Sequence, residues 1–204
     1  MHDFKTRERT SDGQRLDTSR AIATAYRGYE FRSRLEAKYA HFFDLCGWAW
    51  SYEPIDMGGW IPDFAIGEIP TLVEIKPFFQ EDQFAEAKAK AFAAGLDQPL
   101  ILLGADPAWL SIQVDVHDGI HFGWIMEPHS GNWTTSKLHF GLTGGNGKPG
   151  LCPMDSGWFN YIWNLSSKPA RVDVCGLDLD KFFVQKWAQA CNVAKWVPIK
   201  EPTE

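Results

Sequence analysis

Two carboxylates and a lysine in the first half of the chain have the types and spacing for joint chemistry. Asp63 follows Pro62, and Glu74, Ile75 and Lys76 stand in succession a short distance on. If residues 60–66 and 71–76 are paired strands, they lie about 4.8 Å apart, and alternation along the second puts Glu74 and Lys76 on one face. A hard ion such as Mg²⁺ or Mn²⁺ takes carboxylate and carbonyl oxygens while keeping several waters. Asp63, Glu74 and the Ile75 carbonyl make a partial octahedral set for it. An ion held there polarises a phosphodiester and acidifies a bound water. Lys76 beside the attacked phosphate orients that water and offsets developing charge. The pattern predicts metal-dependent phosphodiester hydrolysis, although a lysine on a strand edge also serves simply to block aggregation.

The elements that must position these groups are legible around them. Ser33 stands three residues before Glu36, the capping-box spacing, and Leu35, Tyr39, Phe42, Phe43 and Cys46 form one helical stripe closed by Gly47. Residues 48–53 are aromatic-rich and end at Pro54, which reads as a strand. Gly58-Gly59 turn the chain into a second strand at 60–66, and residues 67–70 are turn chemistry. In the third strand, 71–76, Val73 and Ile75 face one way and Leu72, Glu74 and Lys76 the other, and Pro77 stops it. Residues 81–94 predict a helix ending at Gly95, and residues 100–103 a strand buried on both faces.

Farther on, residues 112–116 and 120–126 predict a hairpin around His117-Asp118-Gly119. From Glu127 to Gly157 the composition of Gly, Ser, Thr and Asn predicts a long loop or a small irregular subdomain. A last amphipathic helix at 180–191 buries Phe182, Phe183, Trp187 and Cys191. The expected division is a flexible arm at 1–19, an α/β core at 20–126 and a Trp-rich C-terminal appendage at 127–204 packed on the core.

In its local text this chain resembles the PD-(D/E)XK nuclease superfamily, particularly nuclease-like proteins of phages and bacteria. The likeness lies in residues 26–37 (Tyr26-Arg27-Gly28-Tyr29-Glu30-Phe31-Arg32-Ser33-Arg34-Leu35-Glu36-Ala37), Tyr52-Glu53-Pro54, Ile61-Pro62-Asp63-Phe64 and Val73-Glu74-Ile75-Lys76-Pro77. It covers about residues 20–104. The resemblance implies a restriction-endonuclease-like core of helix, three-strand meander, helix and strand. It also implies Asp63 and Glu74 as metal ligands, Lys76 as the catalytic lysine, and Glu36, the first-helix acid, as an assistant acting directly or through water. Glu36 has a competing explanation, because a capping box would bond its carboxylate to the Ser33 amide. On the helix after the meander, family members carry a polar residue facing the site, and Gln80, Gln83 and Lys88 are the candidates. The Gln-x-x-x-Tyr pattern of the exonuclease branch is not matched, since Ala87 follows Gln83 and Phe84 follows Gln80 at that spacing. Cleavage of duplexes by dimers of such folds makes a homodimer an expectation of the resemblance alone.

The chain of 204 residues has a formal charge of −6, which argues against a protein that coats nucleic acid. The basic residues are concentrated at the start: residues 1–40 hold nine Lys and Arg against six acids, and residues 41–204 eleven against twenty. Arg27, Arg32 and Arg34, interleaved with Tyr26, Tyr29 and Phe31, therefore have two readings. They grip substrate phosphates while the rings stack on bases, or they form a solvated arm whose rings pack on the sheet. DNA is the expected substrate ahead of RNA, with a protein partner at the C-terminal extension as a further expectation. Rival readings are a structure-selective resolvase or an exonuclease of recombination, and a catalytically silent nuclease-shaped binding module.

No apolar run approaches the roughly 20 residues that span a bilayer, so the sequence predicts no membrane partner and a cytoplasmic location in a bacterial host cell. Cys46, Cys152, Cys175 and Cys191 lack C-x-x-C spacing and read as reduced, mostly buried thiols. Residues 141–149 fall short of a phosphate loop, with Leu142 where a glycine is needed and Pro149 where Ser or Thr is needed. His117, His121, His129, His139 and Cys152 match no familiar zinc spacing.

Overall fold

Ser33 opens the first helix: its backbone is extended, its Oγ accepts from the Glu36 amide, and α1 runs from Arg34–Cys46. Gly47, at φ 70°, ends α1 in the left-handed region, with its N–H on Asp44 O. In this computed structural model the described residues are 22–107, 120–129, 132–143, 149–153, 172–173 and 177–193. Ahead of α1, β1 (Thr24–Tyr26) and β2 (Tyr29–Phe31) form a hairpin that composition did not reveal. Its two-residue turn, Arg27-Gly28, has positive φ at both positions, the conformation that matches strand twist.

The meander follows as β3 (Trp50–Tyr52), β4 (Phe64–Ile66) and β5 (Thr71–Ile75), antiparallel throughout. β4 is shorter than the expected 60–66, because Pro62 has no amide hydrogen to give the ladder and the Asp63 carboxylate, in place of backbone, accepts the Ile75 N–H at 2.7 Å. Residues 81–94 divide into a 3₁₀ turn, Glu81–Phe84, and α2, Ala85–Ala93. The chain then returns as β6 (Leu100–Leu103), parallel to β5.

Between Glu127 and Pro153 the described residues are strands, where composition led to the expectation of a loop or irregular subdomain. β7 (Ile120–His129) crosses Glu127 and pairs with a twelve-residue strand, β8 (Asn132–Thr143), which pairs in turn with β9 (Pro149–Pro153) and β10 (Val172–Asp173). Glycine, Ser and Thr hid the alternation that matters, in which Leu138 and Phe140 point to one core and His139 to the opposite face. The two ends of the phosphate-loop look-alike accordingly lie on paired strands, with Gly141 opposite Gly150 and Leu142 opposite Pro149. The proposed strand at 112–116 and the turn at 117–119 lie outside the described residues. The final helix, α3, spans Leu177–Val193, burying Phe183 and Trp187 and partly covering Phe182 and Cys191.

The result is an α/β fold with one mixed sheet in the order β10-β8-β7-β6-β5-β4-β3 and β9 on β8. One face meets α1 and α3 through Phe42, Phe43, Phe64, Phe122, Phe140 and Phe183; the other meets α2 through Phe84, Ala87, Ala91, Leu100, Leu102 and Trp124. The two faces account for why Leu100–Leu103 reads as a continuous apolar run. Close approach of β7 to β6 depends on Gly123, where a Cβ would stand 2.4 Å from Leu102 O. Cys46 is buried, and that burial pushes its thiol pKa up. No helix among the described residues is long and apolar enough to cross a membrane.

His121 and His139, opposite each other on β7 and β8, are both buried, with stacked rings 5.6 Å apart. Burial, with His139 beside it, lowers the His121 pKa to about 4, against the Gly123 carbonyl 2.8 Å from its Nε2. The unfolded chain therefore binds the extra proton first. Stability is fully present above about pH 6.5 and is lost as pH falls from there to about 4, by about 3 kcal/mol from this residue. Denaturant melts across that window are expected to show the slope, and a His121→Gln variant, which keeps a donor for Gly123 but does not titrate, to flatten it. Equal slopes for the two proteins would rule out His121 as the source.

Candidate active site

The β4–β5 register pairs Phe64 with Val73, and one residue farther on Asp63 stands across from Glu74. Phe64 and Val73 belong to the α1 face, so their neighbours Asp63 and Glu74 share the other face. Asp63, 1% exposed, is held from four directions. Its Oδ2 accepts from Ile75 N–H at 2.7 Å and Lys76 Nζ at 3.4 Å, its Oδ1 accepts from Arg32 Nη2 at 2.8 Å, and its carbonyl accepts from Glu53 N–H at 3.0 Å. Lys76 Nζ also lies 2.6 Å from Glu74 Oε1 and 3.2 Å from the Ile75 carbonyl. The three groups expected to work together, and the Ile75 carbonyl with them, thus converge on one ammonium.

The electrostatics of the cluster are set by burial and by two carboxylates side by side. Burial and the neighbouring Asp63 raise the Glu74 pKa, against Lys76 and the Trp60 indole N–H, which stands outside hydrogen-bond geometry. Burial alone would lower the Lys76 pKa, but Asp63 and Glu74 outweigh it and raise it. Glu74 Oε2 is buried without a hydrogen-bond partner. An orphaned carboxylate oxygen of this kind is costly unless something cationic meets it. The donor set fits a hard divalent ion: two carboxylates and the Ile75 carbonyl, already gathered around a cation in the form of Lys76. Among the described residues no three or more His, Cys, Asp or Glu side chains converge to hold a metal. An ion that retains its waters needs only one or two carboxylates.

Glu36 is buried at the start of α1 but does not bond to Asp63, Glu74 or Lys76. Its Oε1 accepts from the Ser33 hydroxyl at 2.7 Å, and its Oε2 from Tyr52 Oη at 2.7 Å and the Arg32 amide at 3.1 Å. The cap therefore closes through the Ser33 hydroxyl and the Arg32 amide, instead of the Ser33 amide expected from the spacing. Burial and Glu36 raise the Tyr52 pKa to about 12, against the Arg32 amide, so the phenol stays a donor. Glu36 reaches the cluster only through Arg32, whose backbone it holds and whose guanidinium touches Asp63.

The other candidates are dispersed. Arg27 is committed to Asp44 at 2.6 Å, an acceptor it shares with Tyr26 and Trp50, so it braces the hairpin against α1. Arg34 is exposed at the first turn of α1. Gln83 Oε1 accepts from the Phe79 and Gln80 amides, capping the 3₁₀ turn, and Lys88 pairs with Glu81 and Thr135. Neither bonds to the cluster. Tyr29 and Phe31 join Trp50 and Tyr52 in one aromatic group, so these rings pack in the fold. Tyr52, Glu53 and Trp60 were not among the site residues expected from the sequence. Tyr52 is the cross-strand partner of Phe64, one residue from Asp63, and that register was the signal that could have found it.

Chemically, the arrangement offers oxygen ligands, a lysine beside them and an arginine at the rim, the components for holding a hard cation next to an anionic substrate. No family model, curated protein or solved structure matches the chain.

Proposed function

We propose that the chain is a Mg²⁺- or Mn²⁺-dependent nuclease with a restriction-endonuclease-like core of the PD-(D/E)XK kind, which cuts DNA phosphodiesters internally in the cytoplasm of a bacterial host. The observation that carries this reading is the convergence of Asp63, Glu74 and the Ile75 carbonyl on Lys76, with one buried Glu74 oxygen still unpartnered. Helix α1, the meander, α2 and β6 occur in the order the resemblance implies, and β6 lies parallel to β5, which supports it further.

In this reading Asp63, Glu74 and the Ile75 carbonyl hold the ion, which supplies charge to polarise the phosphate and acidify a water. Lys76, bridging both carboxylates, directs that water and neutralises charge that builds on the phosphate. The Ile75 N–H fixes the Asp63 carboxylate so that it need not reorganise. Glu36 is a positioning residue: with Tyr52 it holds the Arg32 backbone beside Asp63.

The test is incubation of the purified protein with supercoiled plasmid, linear duplex and single strands in Mg²⁺, Mn²⁺ or EDTA. Nicking or linearisation of circles that EDTA abolishes is the expected result. Cutting confined to linear ends would replace the endonuclease reading with an exonuclease. No cutting of any substrate would replace it with the silent binding module.

A further inference from the structure

Both oxygens of the Asp63 carboxylate are engaged by the protein itself. Oδ2 accepts from the Ile75 amide at 2.7 Å, a contact fixed in the sheet, and from Lys76 Nζ at 3.4 Å, whereas Oδ1 is held by the Arg32 guanidinium at 2.8 Å. Oδ2 thus already serves the Ile75 amide and Lys76, and Oδ1, held by a side chain from the rim, is the oxygen more readily opened to an ion. The Arg32 side chain is 57% exposed and that of Asp63 2%, so the arginine reaches in from solvent to a buried acid. It has a second holding point at the rim, Glu53 Oε1, 3.1 Å from its Nε. Glu53 has φ 46°, in the left-handed region that a non-glycine residue rarely occupies, and its N–H is tied to the Asp63 carbonyl. A strained residue thus joins the arginine's outer anchor to the same Asp63 that forms its inner one. The Arg32 amide is held separately from the guanidinium, donating to Glu36 Oε2 and Tyr52 Oη, each at 3.1 Å.

Resting on the nuclease reading, we propose that Arg32 is a displaceable counter-cation of the site: it guards Asp63 while the metal is away, competes with the metal for Oδ1, and when displaced turns its guanidinium to the phosphate of the substrate. An ion arriving at Oδ1 repels the guanidinium bonded to the same oxygen, and a planar guanidinium moved a short way outward keeps its forked donors free for phosphate oxygens. Metal entry and substrate grip are then coupled through one side chain. The unpartnered Glu74 Oε2 gives the incoming ion a ligand that no protein cation occupies.

Calorimetric titration with Mn²⁺, with cleavage measured in parallel, tests this on the wild type, Arg32→Ala, Arg32→Lys and Lys38→Ala. Arg32→Ala is expected to bind Mn²⁺ about tenfold more tightly, the equivalent of one charge-assisted hydrogen bond no longer opposed, yet to cut more slowly because the phosphate contact is gone. Arg32→Lys keeps the charge without the fork and falls between. Lys38→Ala removes one positive charge from the adjacent helix without touching Asp63, and its Mn²⁺ affinity is expected to stay at the wild-type value. Unchanged or weaker binding by Arg32→Ala, or equal tightening by Lys38→Ala, would overturn the competition. Tighter binding by Arg32→Ala with no cutting by any of the four proteins would uphold the competition and remove the nuclease reading. Cutting with unaltered binding would do the reverse. Absence of Mn²⁺ binding to the wild type and to Arg32→Ala would end both.

Discussion

Replacing Lys76 by Ala is expected to slow metal-dependent cleavage by about 10²–10³, the loss seen when one preorganised charge aimed at the reacting group is removed, while Mn²⁺ still binds. The separation follows from where Lys76 sits. Its ammonium contacts Asp63, Glu74 and the Ile75 carbonyl, so its removal deletes a catalytic charge and leaves every oxygen ligand in place. Without it, Glu74 keeps the two influences that raise its pKa, burial and Asp63, and loses the first-named of those that oppose them. The variant should then take up a proton at the cluster in the absence of metal and release it when Mn²⁺ binds. Glu74→Gln is the complementary case, in which both the metal-induced rise in melting temperature and the cleavage should disappear, since the neutral amide is a poor ligand in that position. The pair of variants divides the two jobs, and rates with melting curves at several Mn²⁺ concentrations read them. EDTA-sensitive cutting at the wild-type rate by Lys76→Ala would locate the chemistry elsewhere in the chain.

The parts of this arrangement that were legible in the sequence are those governed by local rules. Ser33 and Gly47 mark the ends of α1 because capping depends on neighbouring residues, and alternation along Thr71–Ile75 put Glu74 with Leu72 on one face. Glu36 shows the limit. Spacing announced a capped helix, yet which donors its carboxylate takes was decided by Tyr52, sixteen residues away on β3. Arg32 shows it again: an arginine in a basic, aromatic run has the composition of a phosphate grip, and only the fold brings it onto Asp63, thirty-one residues later. The region after Glu127 was obscured for a different reason. Its strands are rich in Gly, Thr and Ser, residues that composition assigns to loops, and their extended form comes from pairing, β8 with β7 and β9 with β8, which composition does not report.

That pairing has a thermodynamic consequence, which Phe42→Ala measures. Phe42 is fully buried on α1, and its ring lies 5.5 Å from Phe122, 5.8 Å from Phe140, 5.5 Å from Phe183 and 5.6 Å from Trp187. One side chain from the segment bearing the site is therefore the common neighbour of β7, β8 and α3. Truncation leaves a cavity among rings that cannot collapse freely onto a methyl group, and the expected cost is about 3–5 kcal/mol. Against a total stability of roughly 5–15 kcal/mol for a domain, that is a large fraction, and the melting temperature should fall by roughly 10 °C. The shape of the transition matters more than its midpoint. If residues 127–204 were an appendage with its own core, the variant would melt in two steps, the damaged half first. The single aromatic cluster joining α1 to α3 requires one cooperative step, in which far-ultraviolet dichroism and tryptophan fluorescence change together. Separated transitions would show that the sheet's distal strands fold apart from the strands that hold Asp63 and Glu74. Coincident ones would mean that the site's geometry is maintained from both ends of the chain.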